Sequence, residues 1–356
     1  MNGKTYLNTA SCGLLDETTL QETYRFYQDM LTESSTASET ARDQRLPQIR
    51  EAAAFFLSAP AANIALIPNF SWALNGIVHA LDGDERVLLY RHDYPSVYEP
   101  FRINNFDITW IDSSDGFNLN TDAVKSLLLA ADIEVFAISH VQWQSGFTAD
   151  IAALGAFCRE HNIVFIVDAT QSLGAIPVYP DQMDVDVLIA SNYKWMNAGF
   201  GTGIMYMSDH FLEMYPPVVG GHNSYSTAGG LWQYVPSVRS YEPGHLNIHG
   251  LMVMEAAIKQ KLALGIETIH KHNMALTERL LNGIEDMDLE LLGPASLENR
   301  CSIVILKAGT DLHKYLADND IVVTGRDGLI RISMHFYNTE ADVDRILTCL
   351  GAWQKR

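Results

Sequence analysis

Between residues 63 and 207 the chain alternates apolar runs of strand length with amphipathic stretches of helix length, a rhythm that few folds accommodate. Runs at 63–67, 86–90, 108–111, 133–139, 163–168, 185–190 and 203–207 read as strands. The segments 71–80, 97–104, 121–130 and 151–161 between them read as helices. Repeated βαβ units predict an α/β fold, a mostly parallel sheet flanked by helices, with ligands at the carboxyl ends of its strands. From Leu246 the rhythm changes to a long helix through Leu264, a break at Gly265, a helix at 266–284, strands at 301–306 and 329–333, and a terminal helix from Glu340. That pattern predicts a smaller α+β domain. At 356 residues the chain is long for one core. The expected division is a large domain at 15–245 and a small C-terminal domain at 246–356, joined by an N-terminal arm at 1–14. The polar stretch 32–44, with Ser34, Ser35 and Ser38, reads as an exposed loop or a frayed helix end.

Charge narrows the partners. With 24 Lys+Arg against 43 Asp+Glu the formal charge is −19, which disfavours nucleic acid and anionic membrane surfaces. A composition that is 47% hydrophobic and 19% charged belongs to a well-buried globular protein. Cys12, Cys158, Cys301 and Cys349 lie far apart, without metal-ligand spacing, and read as reduced thiols. The N-terminus lacks the apolar core of a signal peptide and no apolar run is long enough to span a bilayer, so a cytoplasmic location is expected. No Gly-x-Gly-x-x-Gly follows the first strand, which argues against a dinucleotide-binding reading of the same βαβ pattern.

One segment carries chemistry. The apolar run Ile163-Val164-Phe165-Ile166-Val167 ends in Asp168, and Ser191-Asn192-Tyr193-Lys194-Trp195 closes the next strand. An acid and a lysine at neighbouring strand ends suit pyridoxal 5'-phosphate, whose aldehyde needs an amine for a Schiff base and whose ring nitrogen needs a carboxylate to stay protonated. The cofactor's phosphate needs N–H groups and hydroxyls at a helix start, which Asn69-Phe70-Ser71 supplies directly after a strand.

The run Asp168-Ala169-Thr170-Gln171-Ser172-Leu173-Gly174-Ala175, with Ser191-Asn192-Tyr193-Lys194-Trp195 and Gly199-Phe200-Gly201-Thr202-Gly203, resembles the class V aminotransferases, fold-type I enzymes dependent on pyridoxal phosphate. That family includes cysteine desulfurases, kynureninases and isopenicillin-N-epimerase-like proteins, and the likeness runs loosely from Tyr6 to about Ile346. It implies that Lys194 forms the Schiff base and shuttles the α-proton while Asp168 holds the pyridinium. Phe70 and Ser71 are the implied phosphate residues, with Ser191 and Tyr193 as further candidates, and Gln171 is the implied partner of the cofactor's phenolate oxygen. Two aromatics compete to stack on the ring: Trp143, which resembles the stacking residue of kynureninases and is favoured, and Tyr94. Arg331 matches the arginine that takes the substrate's α-carboxylate, Arg326 being the weaker rival. The segment Ser240–Asn247 resembles the stretch by which a neighbouring subunit reaches the phosphate, although Gly244-His245 stands where the family commonly has Gly-Thr. A homodimer with sites at its interface is what this implies. Gly220-Gly221-His222 lines the substrate mouth or makes a plain turn.

A desulfurase needs a nucleophilic cysteine shortly before the carboxylate arginine, and 319–329 contains none. The expectation is therefore an enzyme acting on a small-molecule amino-acid substrate, an aminotransferase or a related lyase. A kynureninase-like hydrolase or an epimerase is the alternative within the family. A non-catalytic protein that keeps the fold for binding is the alternative outside it.

Overall fold

The computed structural model describes residues 3–113, 115–226 and 233–356. Its centre is a seven-stranded sheet in the order Ile64–Ile67, Gly203–Met207, Val187–Ser191, Val164–Asp168, Val135–Ser139, Arg86–Tyr90, Asp107–Ile111. Only Gly203–Met207 runs antiparallel to its neighbours. Helices Phe70–Val78, Pro95–Ile103, Thr121–Ala130 and Ile151–Glu160 alternate with the strands, as the periodicity predicts. The central strands are buried on both faces, which is why they read as continuous apolar runs.

Successive residues of those strands feed opposite faces. Phe136, Ile138, Phe165, Val167 and Leu188 enter one apolar core, whereas Val135, Ala137, Val164, Ile166, Val187 and Ile189 enter the other. Extending the second series to the strand ends puts Ser139, Asp168 and Ser191 on one face, with Ser139 in register with Asp168. Three polar side chains thus converge at the carboxyl edge of the sheet.

A second, four-stranded antiparallel sheet has the order Glu290–Leu292, Ile303–Lys307, Leu329–Ser333, Thr324–Arg326. Helices Ile266–Ile284, Thr310–Asp318 and Glu340–Gln354 pack against it around a separate core that includes Leu280, Ile330, Ile332 and Ile346. Helix Ile248–Leu264 lies instead on helices Glu17–Thr32 and Leu46–Leu57, and its Leu251, Met254 and Ile258 join the core of the larger sheet.

The N-terminal arm ties the two sheets together. Thr5–Tyr6 pairs in parallel with Ile321–Val322, and the chain then runs to the Lys194 turn, where Gly13 N donates to Tyr193 O at 2.8 Å. A Cβ on Gly13 would stand 1.9 Å from Lys194 O, so only glycine allows that approach. The stretch 32–44, read as an exposed loop or a frayed helix end, does begin at a helix end, Thr32, and is largely exposed, but it is mostly helical: Ser35–Thr40 leads through a wide π turn, Ala41–Arg45, into Leu46–Leu57. Ala37 and Ala41 turn inward while their polar neighbours face solvent, and two small residues are too weak a stripe to be seen in the sequence. Among the described residues no helix is long and apolar enough to cross a membrane.

Candidate active site

Asp168 is 6% exposed, and its carboxylate accepts from Thr170 N at 2.8 Å. Burial pushes its carboxyl well above the usual range and Asp93 adds to the rise, while Thr170 and Lys194 oppose it. Lys194 is 7% exposed, in the turn after strand Val187–Ser191. Burial lowers its ammonium, with Arg331 lowering it further and Asp168 opposing. Its Nζ stands 5.6 Å from the ring centre of Tyr94 and 5.5 Å from that of Tyr193. A weakened ammonium beside a buried acid is a common signature of proton-transfer chemistry.

Asp93 escaped the sequence reading. It accepts from Ser139 N at 2.8 Å, Ser139 Oγ at 2.5 Å and Tyr94 N at 2.7 Å, and burial raises its pKa. Nothing local marks it, because it becomes buried only through the pairing of strands Arg86–Tyr90 and Val135–Ser139.

The start of helix Phe70–Val78 closes a cavity that Asp168 and Lys194 also line. Asn69 caps it by accepting from Trp72 N at 2.9 Å, and Phe70 N donates to Ser191 Oγ at 2.9 Å. Ser71 Oγ lies 2.8 Å from Ser96 Oγ. Thr170, unremarked in the sequence, accepts from Ser191 N at 3.1 Å through its hydroxyl. Phe70, Ser71, Tyr94, Trp143, Asp168, Thr170, Gln171, Ser191, Tyr193 and Lys194 all border this one cavity. The two stacking rivals are neighbours: Tyr94 and Trp143 meet edge to face at 5.8 Å. Gln171 is partly committed, since its amide oxygen accepts from Trp195 Nε1 at 2.7 Å and its nitrogen donates to Ala10 O at 3.1 Å. One N–H of that amide remains for a ligand. Tyr193 stacks on Phe200 at 4.8 Å, and burial pushes its phenol up to about 12.

An adjoining cavity shares Tyr94, Trp143, Tyr193 and Lys194 and ends at Arg331. Arg331 is 8% exposed; it donates to Trp143 O at 2.7 Å and to Ser11 Oγ at 2.7 Å. Its buried Nε has no partner, and among the described residues no carboxylate pairs with it. Burial pulls its guanidinium down to about 10. Arg326 sits exposed at the rim and pairs with Asp327 at 3.2 Å. Gly244 and His245 border a different cavity, where Arg50 and Glu242 satisfy each other, and do not reach their own chain's Lys194. Gly220 and Gly221 border neither cavity of the Lys194 site, and the His222 side chain lies outside the described residues. Cys301, just before strand Ile303–Lys307, is buried in a small cluster with Ala10 and Trp195 and lies close enough to Arg331 to interact with it, but it lines neither cavity; burial pushes its thiol up to about 12.

These residues fit pyridoxal phosphate: a carboxyl for a ring nitrogen, a lysine for an aldehyde, a helix start with hydroxyls for a phosphate, and aromatic walls. Comparison with known proteins agrees. A probable cysteine desulfurase of Pyrococcus abyssi (strain GE5 / Orsay) is 25% identical over 86% of this chain and 82% of its own length. A cysteine desulfurase of Escherichia coli O139:H28 is 28% identical over 61% of this chain and 57% of that protein. Among solved structures, the apo cysteine desulfurase of Thermococcus onnurineus NA1 superposes with a TM-score of 0.89 at 20% identity, covering 99% of this chain and 95% of that one. The cystine C–S lyase C-DES, solved with its product cysteine persulfide, gives 0.86 at 20% identity over 98% and 97%. At such identities the superpositions speak for the fold. The model of the aminotransferase class-V family matches residues 5–346, and the chain belongs to that family of pyridoxal-phosphate enzymes.

Proposed function

We propose that this enzyme is an amino-acid lyase that eliminates a leaving group from the β-carbon of its substrate without an enzyme thiol. The observation that carries the amino-acid part is Arg331, a buried cation that has no carboxylate beside it among the described residues and faces the same cavity as Lys194. A buried charge without a counter-ion is costly, and a substrate α-carboxylate would offset that cost through a bidentate fork. Pyridoxal phosphate, when bound, supplies an aldehyde for an amine and, through its protonated ring, an electron sink for the pair left by a departing α-proton.

The chain's own residues do the rest in this reading. Asp168, whose buried carboxyl holds a proton more readily than usual, would face the ring nitrogen and pair with it through that proton. Ser71 and Ser191 hold the phosphate at the positive end of helix Phe70–Val78, where Phe70 N–H orients the Ser191 hydroxyl. Trp143 and Tyr94 cover the ring, and the last N–H of Gln171 meets the phenolate oxygen. Lys194, its ammonium weakened by burial, takes the α-proton and can return it. The segment Ser240–Asn247, which borders neither cavity of its own chain's Lys194 site, serves the site of a second copy in a homodimer.

The lyase assignment rests on what lines the cavities. The relatives are named cysteine desulfurases, yet no cysteine borders either cavity among the described residues. A sulfur-bearing amino acid would then lose its leaving group directly. The test is to incubate the holoenzyme with L-cysteine, L-cystine and a panel of other amino acids and to identify products. A keto acid and ammonia formed without any acceptor are expected. Turnover that requires an added keto-acid acceptor would make the enzyme an aminotransferase instead.

A further inference from the structure

Behind the Lys194 turn lies a second lysine that the proposed chemistry does not use. Lys261, on helix Ile248–Leu264, is 0% exposed, and its Nζ donates to Asn197 Oδ1 at 2.8 Å. Among the described residues no carboxylate pairs with it; instead Nζ rests 4.7 Å from the ring centre of Phe336. Its stem is wedged under the turn, since a Cβ on Gly174 would come within 2.8 Å of Lys261 Cε and 2.6 Å of Trp195 O.

The same Asn197 oxygen receives a second donor. His335 Nε2 lies 3.1 Å from it and 2.8 Å from Trp195 O. Two oxygen neighbours place the ring hydrogen on Nε2, which leaves Nδ1 to accept from Asn273 Nδ2 at 3.2 Å. Asn197 then spends its other end on the N-terminal arm, with Nδ2 donating to Leu14 O at 3.0 Å. Its own backbone N–H donates to Lys194 O at 3.1 Å, and its φ of 58° is a conformation that asparagine tolerates. One side chain in the Lys194 turn is therefore held by the arm, by helix Ile248–Leu264 and by the segment that follows strand Leu329–Ser333, which carries Arg331.

We infer that Lys261 is a positioning residue which, through Asn197 and together with His335, fixes the Lys194 amine relative to Asp168 and Arg331. Burial pulls the Lys261 ammonium down to about 7, so a donor rather than a permanent charge is what the site needs. A chain that wanted only packing there would do as well with a methionine, because replacing buried ionisable groups by well-packed apolar side chains of similar volume is often neutral or stabilising.

The inference rests on Lys194 being the amine that meets pyridoxal phosphate, and the test separates the two. Apoprotein of the parent, Lys261→Met, Asn197→Gly and Lys194→Ala is mixed with pyridoxal phosphate, the rate of appearance of the visible band is followed, and the thermal midpoint of each apoprotein is measured. Lys261→Met is expected to capture the cofactor about tenfold more slowly with a midpoint at or above the parent's. Asn197→Gly, which keeps the positive φ at no steric cost and deletes the hub, is expected to show the same slowing, so the test survives poor folding of either variant. Capture within twofold of the parent by a folded variant overturns the positioning role while leaving Lys194 intact. A band of parental intensity in Lys194→Ala overturns the Lys194 reading and the inference with it.

Discussion

Asp168 is held where burial and a neighbouring acid both favour the protonated carboxyl. Such a group binds more protons in the folded state than in the unfolded one, so it makes the apoprotein lose stability as pH rises from the unfolded value of about 3.9 through the raised folded value. Asp168→Asn removes that contribution. The thermal midpoint of the variant apoprotein should therefore fall less than the parent's between about pH 4 and about pH 7. In the holoenzyme the same change should lower turnover at least about a hundredfold, since a neutral amide cannot hold the ring nitrogen's proton. Parallel midpoint curves together with near-normal turnover would remove Asp168 from the site. Arg331→Lys keeps charge but loses the fork, and should weaken amino-acid binding by about 1.5–3 kcal/mol, roughly 10- to 150-fold. Amines lacking a carboxylate should bind as before; equal weakening of both would make Arg331 structural.

At the scale of elements, the strand ends do the positioning. The two-residue alternation that sends Val164 and Ile166 to one core also delivers Asp168 to the same face as Ser139 and Ser191. That much was legible in the sequence, because fully buried parallel strands leave long apolar runs and a polar residue at the end of one stands out. Asp93, Thr170 and the Lys261–Asn197–His335 cluster were not legible. Their partners lie on other strands, on the arm or in the C-terminal segment, and their burial is a product of tertiary packing that no local pattern records. The arm's contact is the most exacting of these. Gly13→Ala would drive a methyl against the Lys194 carbonyl, and overpacking of this kind costs about 1–3 kcal/mol. The expected result is a lower thermal midpoint and faster protease cleavage within the arm; an unchanged midpoint would mean that the arm docks elsewhere.

For the molecule as a whole, the two sheets meet at the Lys194 cavity, one supplying Asp168 and Lys194, the other Arg331. The absence of a cavity thiol among the described residues sets the expected chemistry. Cys301→Ala should leave turnover unchanged, and mass spectrometry after exposure to L-cysteine should find no persulfide on any cysteine; a persulfide on Cys301 would restore the desulfurase route. On the reading proposed above, Lys194 is the amine through which this family member holds its cofactor. Borohydride reduction of the holoenzyme, followed by peptide mapping by mass spectrometry, tests it most directly. The holoenzyme is expected to be yellow, to be bleached by the reductant and to carry the reduced cofactor on Lys194 alone. An adduct on any other lysine, Lys261 included, would contradict that reading.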